Sequence, residues 1–191
     1  MEKKTIWDLD RVSVDEYKSQ VEKLPIVVVL DNIRSLNNVG SVFRTADAFL
    51  ISQIILCGIT ATPPSNEIHK TALGAEDSVE WKYYESTLDC VEQLKAEGYT
   101  ICCLEQVKDS VALQDFVVEK GKKYAIVFGN EVNGVDQAVV DACNVCIEIP
   151  QCGTKHSLNV SVSGGIAMWH FFDAMHKARR KAPMSRLSLN R

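Results

Sequence analysis

Apolar and polar positions along the chain switch between two periods, and the switches predict a succession of strands and helices. Ser13-Val14-Asp15-Glu16 is a capping-box pattern that opens a short helix running toward Lys23, where Leu24-Pro25 ends it. Ile26 to Asp31 is a continuous aliphatic run, the pattern of a strand buried on both faces. Asn37 to Phe49 follows with Val39, Val42, Phe43 and Ala46 at helical spacing. Ile51 to Cys57 reads as the next strand, and Gly58 to Ser65, with two prolines, as a loop. Glu67 to Gly74 is weakly helical. Thr87 is placed to cap a helix through Ala96 that stops at Gly98, ahead of a strand at Tyr99 to Leu104. Lys123 to Phe128 predicts another strand, Asp136 to Ala142 a short helix, Val145 to Ile149 a last strand, and Ser157 to Arg180 a long closing helix.

Buried aliphatic strands spaced by helices predict an α/β fold, a mostly parallel sheet with helices on both faces. No internal repeat or low-complexity linker interrupts the pattern. The expected organisation is a helical extension over 1–25, one domain over 26–175 and a basic tail over 176–191.

Composition narrows the classes. At 191 residues, 46% hydrophobic and 24% charged, the chain suits one globular domain able to bury a full core. Its longest aliphatic run, Ile26 to Leu30, is far below the roughly 20 residues of a membrane span. No apolar stretch follows the first lysines, so the expectation is a soluble, cytoplasmic protein without a secretory signal. Seven cysteines, most of them in aliphatic segments, predict reduced and buried thiols. Cys143-Asn144-Val145-Cys146 has metal-ligand spacing, but there is no second such pair to close a four-ligand site, and no metal is expected. The net charge of −4 conceals an asymmetry: residues 1–173 hold 15 of the 21 basic groups and all 25 acidic ones. Lys177, Arg179, Arg180, Lys181, Arg186 and Arg191 make the tail purely basic, a reason to expect a polyanionic partner.

Neither G-x-G-x-x-G nor G-x-x-x-x-G-K-[ST] occurs, which disfavours a dinucleotide enzyme or NTPase, and no G-x-S-x-G elbow suggests a hydrolase. Three polar clusters do fall at predicted strand ends, where open α/β sheets place their ligands. The first spans Asp31 to Asp47 and contains Asn-x5-Arg as Asn38 and Arg44. The second is Gly129-Asn130-Glu131. The third runs from Ile149-Pro150-Gln151-Cys152-Gly153 to Ser157-Leu158-Asn159-Val160-Ser161-Val162.

In this order and near these separations, the three clusters resemble those of the SpoU or TrmH family of RNA 2′-O-ribose methyltransferases, in the SPOUT superfamily. The resemblance covers about residues 26 to 175. It implies an S-adenosylmethionine enzyme, active as a homodimer, with a C-terminal trefoil knot holding the cofactor. It also implies a cofactor pocket lined by backbone around Gly129, Ile149 and Leu158, and a catalytic cluster of Asn38, Arg44, Glu131, Ser157 and Asn159. Two features depart from the family pattern: Gln151 stands where methionine is usual, and Ser163-Gly164-Gly165 where alanines are favoured.

The residue chemistry agrees in part. Methyl transfer from a sulfonium needs a weak ribose hydroxyl to be positioned and its developing charge stabilised, which calls for polar side chains rather than a metal. Asn38, Ser157 and Asn159 hydrogen-bond well, and Arg44 is a permanent cation able to grip a phosphate. Plainer roles stand beside these. Asn37-Asn38 could cap the following helix, Arg44 could be a surface ion-pair partner, and Glu131 could cap its own turn or hold Asn133. Lys155 and His156 are either phosphate contacts or exposed loop charge, and Lys155, Lys177, Arg179, Arg180 and Lys181 are the candidate RNA contacts. Ser161, Ser163, Gly164, Gly165 and Ala167 form a small-residue stretch whose glycines each cost about 1 kcal/mol in a helix, which suggests close backbone approach, at a knot crossing or a helix-helix dimer seam.

The expected function is methylation of a ribose 2′-hydroxyl in tRNA or rRNA. With only about 25 residues before the first strand, the reading favours tRNA. A catalytically silent RNA-binding or assembly protein of the same fold is the alternative, and an unrelated α/β small-molecule enzyme is a third.

Overall fold

The computed structural model describes Lys3 and residues 13–181, the side chains of 178–181 excepted. Among these residues seven strands form one sheet: β1 (Leu24–Asp31), β2 (Ile51–Cys57), β3 (Glu80–Tyr84), β4 (Tyr99–Leu104), β5 (Val111–Ala112), β6 (Lys123–Phe128) and β7 (Val145–Glu148). Their order is β3-β2-β1-β6-β4-β7-β5, and every pairing is parallel. Among the described residues seven helices connect and cover them: α1 (Val14–Gln20), α2 (Leu36–Ala48), α3 (Asn66–Ala72), α4 (Ala75–Ser78), α5 (Thr87–Ala96), α6 (Gln137–Ala142) and α7 (Val160–Lys181).

Alternate residues of the central strands point to opposite faces and divide into two cores. Val28, Leu30, Ile54, Leu56, Ile126 and Phe128 pack with Val42 and Phe43 of α2, Ile68 of α3 and Met168 and Phe171 of α7. Val27, Val29, Ile55, Ala125, Val127 and Cys103 pack with Cys90, Val91 and Leu94 of α5 and Val139 of α6. Both faces are therefore covered, which is why these strands read as unbroken aliphatic runs.

The capping box forms as expected, with Ser13 Oγ accepting from the Glu16 N–H and Glu16 Oε2 from the Ser13 N–H. The helix it opens ends at Gln20 rather than near Lys23, and Tyr17 ties it to the domain by donating to the Asp47 carbonyl at 2.6 Å. Other departures have local causes. Ser86, not Thr87, caps α5; Thr87 is buried and donates to Asp31 Oδ1 instead. Helix α7 begins at Val160, three residues later than expected, because Asn159 Oδ1 takes the Ser161 N–H and leaves Ser157-Leu158-Asn159 in the preceding loop. The strands β3 and β5 and the helix α4 were not anticipated. Within the protomer the glycine pair of α7 marks no close crossing: a Cβ on Gly164 or Gly165 would sit 3.7 Å or more from its nearest neighbour, an ordinary contact.

All seven cysteines are unpaired. Cys57, Cys90, Cys102 and Cys103 are buried, Cys143 and Cys146 half-buried and Cys152 exposed. Burial pushes the Cys102 thiol up to about 12. Among the described residues no helix is long and apolar enough to cross a membrane.

Candidate active site

Strand order reverses between β1 and β6. The chain builds outward from β1 through β2 to β3, then crosses to the other side of the sheet. Such a switch point opens a crevice at the carboxyl ends of the strands, and the three polar clusters converge there.

The first cluster begins where β1 gives way to α2. Ser35 caps α2 by accepting from the Asn38 N–H, so neither Asn37 nor Asn38 serves as the cap. The Asn38 side chain is thereby free to bridge the other two clusters. Its Nδ2 donates to Glu131 Oε1 at 3.1 Å, and its Oδ1 accepts from Asn159 Nδ2 at 3.2 Å. Glu131 also accepts from the Arg34 N–H at 3.2 Å and the Ser35 N–H at 3.3 Å. Burial by itself would raise the Glu131 carboxyl, but bonds from its own N–H, the Asn38 amide and the Arg34 and Ser35 N–H groups outweigh it and hold the group below the usual carboxylate range. Glu131 is therefore an anion that positions its neighbours and is poorly suited to accept a proton. It is Asn130, rather than Glu131, that holds Asn133, with Oδ1 accepting from the Val132 and Asn133 N–H groups.

A cavity of about 360 Å³ lies beside this bridge, within the range of small-molecule sites. Gly129, Ile149 and Leu158 all line it, as do Glu131, Ser157 and the divergent Gln151. Gly129 is required here: a Cβ would collide with the Gly134 carbonyl carbon and the Val135 nitrogen. Leu104, Phe128 and Val160 add apolar walls, and Glu105 and Glu131 add acidic groups. This combination fits a small cationic molecule with a flat apolar part, the character of S-adenosylmethionine.

Not every expected site residue joins the bridge. Arg44 is exposed on α2 about a third of a turn round the helix from Asn38, and among the described residues its guanidinium has no hydrogen bond or ion pair. Ser157 lines the cavity but bonds none of the cluster. Lys155 is an exposed loop residue, and Lys177 pairs with Asp173 at 2.6 Å on the surface of α7. The side chains of Arg179, Arg180 and Lys181, and the whole of Arg186 and Arg191, lie outside the described residues.

Sequence reasoning overlooked Glu105 and gave no role to Asp31 or Asn130. Glu105, just past β4, accepts from the Val135 N–H at 3.0 Å and the Gln106 N–H at 2.9 Å, clamping the 129–135 loop to the cavity wall. Buried Asp31 accepts from Thr87, Asn32 and the Asp136 N–H, and Asn130 Nδ2 donates to the Asn32 carbonyl at 2.7 Å. The one available signal was position, an acidic or amide residue at or just past the end of a buried strand.

Known proteins resemble this chain in sequence and fold. A profile of the SpoU rRNA methylase family matches residues 25–169. The chain is 30% identical over 159 residues to a Staphylococcus saprophyticus protein named for the TrmH family of tRNA/rRNA methyltransferases, covering 83% of this chain and 62% of that one. It is 31% identical over 151 residues to the 23S rRNA (guanosine-2′-O-)-methyltransferase RlmB of Nitrosomonas europaea, covering 77% and 55%. The chain thus spans about three fifths of the length of the curated relatives it matches. An AdoMet-bound rRNA methyltransferase from Sinorhizobium meliloti superposes with a TM-score of 0.71 at 28% identity, over 91% of this chain and 62% of that one. The TrmH/SpoU tRNA modifying enzyme of A. aeolicus shares the fold, with a TM-score of 0.76 at 23% identity over 87% and 82%. A match across three quarters of the chain, carrying the clusters that meet at the switch point, leaves one assignment: the protein belongs to the SpoU rRNA methylase family.

Proposed function

We propose that the chain transfers a methyl group from S-adenosylmethionine to a ribose 2′-hydroxyl of tRNA or rRNA, acting as a cytoplasmic homodimer. The observation that carries this reading is Glu131, which lines the cavity and also anchors the Asn38–Asn159 bridge, so cofactor and hydroxyl would meet at one carboxylate. When bound, S-adenosylmethionine supplies an already electrophilic methyl group. The chain's own work is then positioning and charge stabilisation. Asn38, fixed at both ends of its amide, orients the ribose. Arg44, a permanent cation, grips the adjoining phosphate and stabilises the oxygen as its proton leaves to solvent. Ser157, at the cavity wall, contributes a hydroxyl to the same edge.

Two features support the remaining parts of the reading. Strand β7 lies inside the sheet between β4 and β5, while the segment after it is tied to the loop after β4 by Gln106 Nε2 and the His156 carbonyl at 3.0 Å. Helix α7 then returns against the segment after β5, with His170 Nε2 2.9 Å from the Phe116 carbonyl oxygen, a path in keeping with a trefoil knot. Val162, Ile166 and Trp169, 50%, 41% and 51% exposed, form an apolar stripe along α7 suited to a second copy.

The test combines two readouts. S-adenosylmethionine or its demethylated product should raise the melting temperature, since a ligand specific to the folded state stabilises by about 2.7 kcal/mol at a hundredfold excess over Kd. Nucleoside mass spectrometry of tRNA and rRNA incubated with protein and cofactor should then show a new 2′-O-methyl nucleoside. Base methylation instead would overturn the ribose assignment, and RNA binding without any methylation would favour a catalytically silent protein.

A further inference from the structure

A second cavity, of about 510 Å³, lies on the other side of the 129–135 loop. Asn130, Asn133 and Gly134 line both cavities, so this loop is the wall between them. The rest of the lining comes from the ends of β1 and β2 and the start of α6, including Asp31, Asn32, Arg34, Ile59, Asp136 and Gln137.

Most polar groups of this lining are already committed. Asp31 receives three donors, Asn32 Oδ1 takes the Ile59 N–H at 3.1 Å, and both ends of the Asn130 amide are used. Besides the Gln137 amide oxygen, three groups are left over. Among the described residues, the Arg34 guanidinium and the Asn133 carboxamide make no hydrogen bond or ion pair, and Asp136 spends Oδ1 on capping α6 while Oδ2 has no partner.

A bare phosphate suits such a lining poorly, because the lining holds two carboxylates, Asp31 and Asp136, to one guanidinium. A neutral planar ring presenting both acceptors and donors suits it well. Guanine has such an edge: O6 and N7 match the guanidinium fork, and N1–H with the N2 amine matches a carboxylate. Asn133 can donate or accept beside them, and Ile59, 63% exposed, offers apolar surface to the ring. Unpaired bases with open edges are what RNA-binding sites read.

We propose that this cavity takes a guanine base of the RNA strand undergoing methylation, held between Arg34 and Asp136. The inference rests on reading the first cavity as the cofactor site. It also links the two sites, because the Arg34 N–H donates to Glu131 Oε2. A base seated on the Arg34 side chain therefore bears directly on the segment that positions Asn38.

Ligand-detected NMR on the full chain saturated with S-adenosylhomocysteine, which occupies the first cavity, tests this with guanosine, adenosine, cytidine and uridine supplied separately. Guanosine should receive saturation transfer at least about fivefold more strongly than the other three, and Arg34→Ala and Asp136→Asn should each weaken its binding by at least about fivefold. Asn preserves the cap at position 136, and Asn133→Ala serves if either variant fails to fold. Equal transfer to all four nucleosides, transfer to none, or a guanosine signal unchanged in the folded variants would overturn the proposal. The thermal shift by S-adenosylhomocysteine in the same samples reports on the first cavity separately. A shift without guanosine selectivity refutes only the base site, whereas absence of a shift refutes the cofactor reading.

Discussion

Asn38 and Glu131, 93 positions apart in the chain, are joined by a 3.1 Å hydrogen bond that fixes which way the Asn38 amide faces. An ionised carboxylate only accepts, so the amide nitrogen must turn toward Glu131 and the oxygen toward Asn159. The carboxylate thus sets the polarity of the whole bridge. Glu131→Gln should disorder that bridge, cost about 1–2 kcal/mol at neutral pH and slow methyl transfer while leaving cofactor binding measurable. Urea unfolding and single-turnover methylation check the two effects.

The pH dependence of that cost has a definite sign. The folded pKa of Glu131 is lowered, so its contribution is complete above the unfolded value near about 4.3 and is lost as pH falls through the lower folded value. The stability gap between wild type and Glu131→Gln should stay level from about pH 6 to 8 and close as pH drops below about 4. A gap of the same size in strong acid would mean that the carboxylate charge does not hold the bridge.

Gly129 and Gly153 offer a matched comparison. A Cβ at Gly129 strikes backbone of the 134–135 turn, whereas one at Gly153 meets open space. Gly129→Ala should cost roughly 1–3 kcal/mol and weaken cofactor binding, and Gly153→Ala should stay within about 0.5 kcal/mol of wild type. Calorimetric melting with and without S-adenosylhomocysteine distinguishes them.

Arg44 is exposed and has no partner among the described residues, so its removal should leave the fold intact. Arg44→Ala should lower turnover by a factor of about 100 to 1,000 while the cofactor-induced thermal shift is retained. Arg44→Lys keeps the charge but not the planar fork and should recover little. Near-normal single-turnover rates for the alanine variant would remove Arg44 from the reaction.

The apolar stripe on α7 predicts an oligomer. Light scattering at micromolar concentration should give a dimer for the wild type and a monomer for Ile166→Asp, because a carboxylate buried in an apolar seam without a partner is strongly unfavourable. A monomeric wild type would refute the dimer outright.

How much of this was written in the chain differs from element to element. The bounds of β2, β4 and β6 were legible as they stand, because each ends in a buried apolar run that stops at Gly58, Glu105 or Gly129. The two strands that escaped, β3 and β5, are the two edges of the sheet. Glu80–Tyr84 is half-solvated and mixes charge with aromatics, and Val111–Ala112 is too short to show any period.

The site divides in the same way. Asn38, Glu131 and Asn159 sit in local motifs that can be read without a structure, and the alternation of strand and helix already required a covered parallel sheet. The sequence by itself therefore determined the fold class, the family resemblance and the polar loops that matter. Only the tertiary structure decided that Glu105 clamps the 129–135 loop and that Arg34 and Asp136 face a second cavity. Those relationships depend on β1 lying beside β6, and β6 beside β4, pairings between segments far apart in the chain. Local periodicity carries no record of strand order, because that order is set by which buried faces pack together once the whole chain has collapsed.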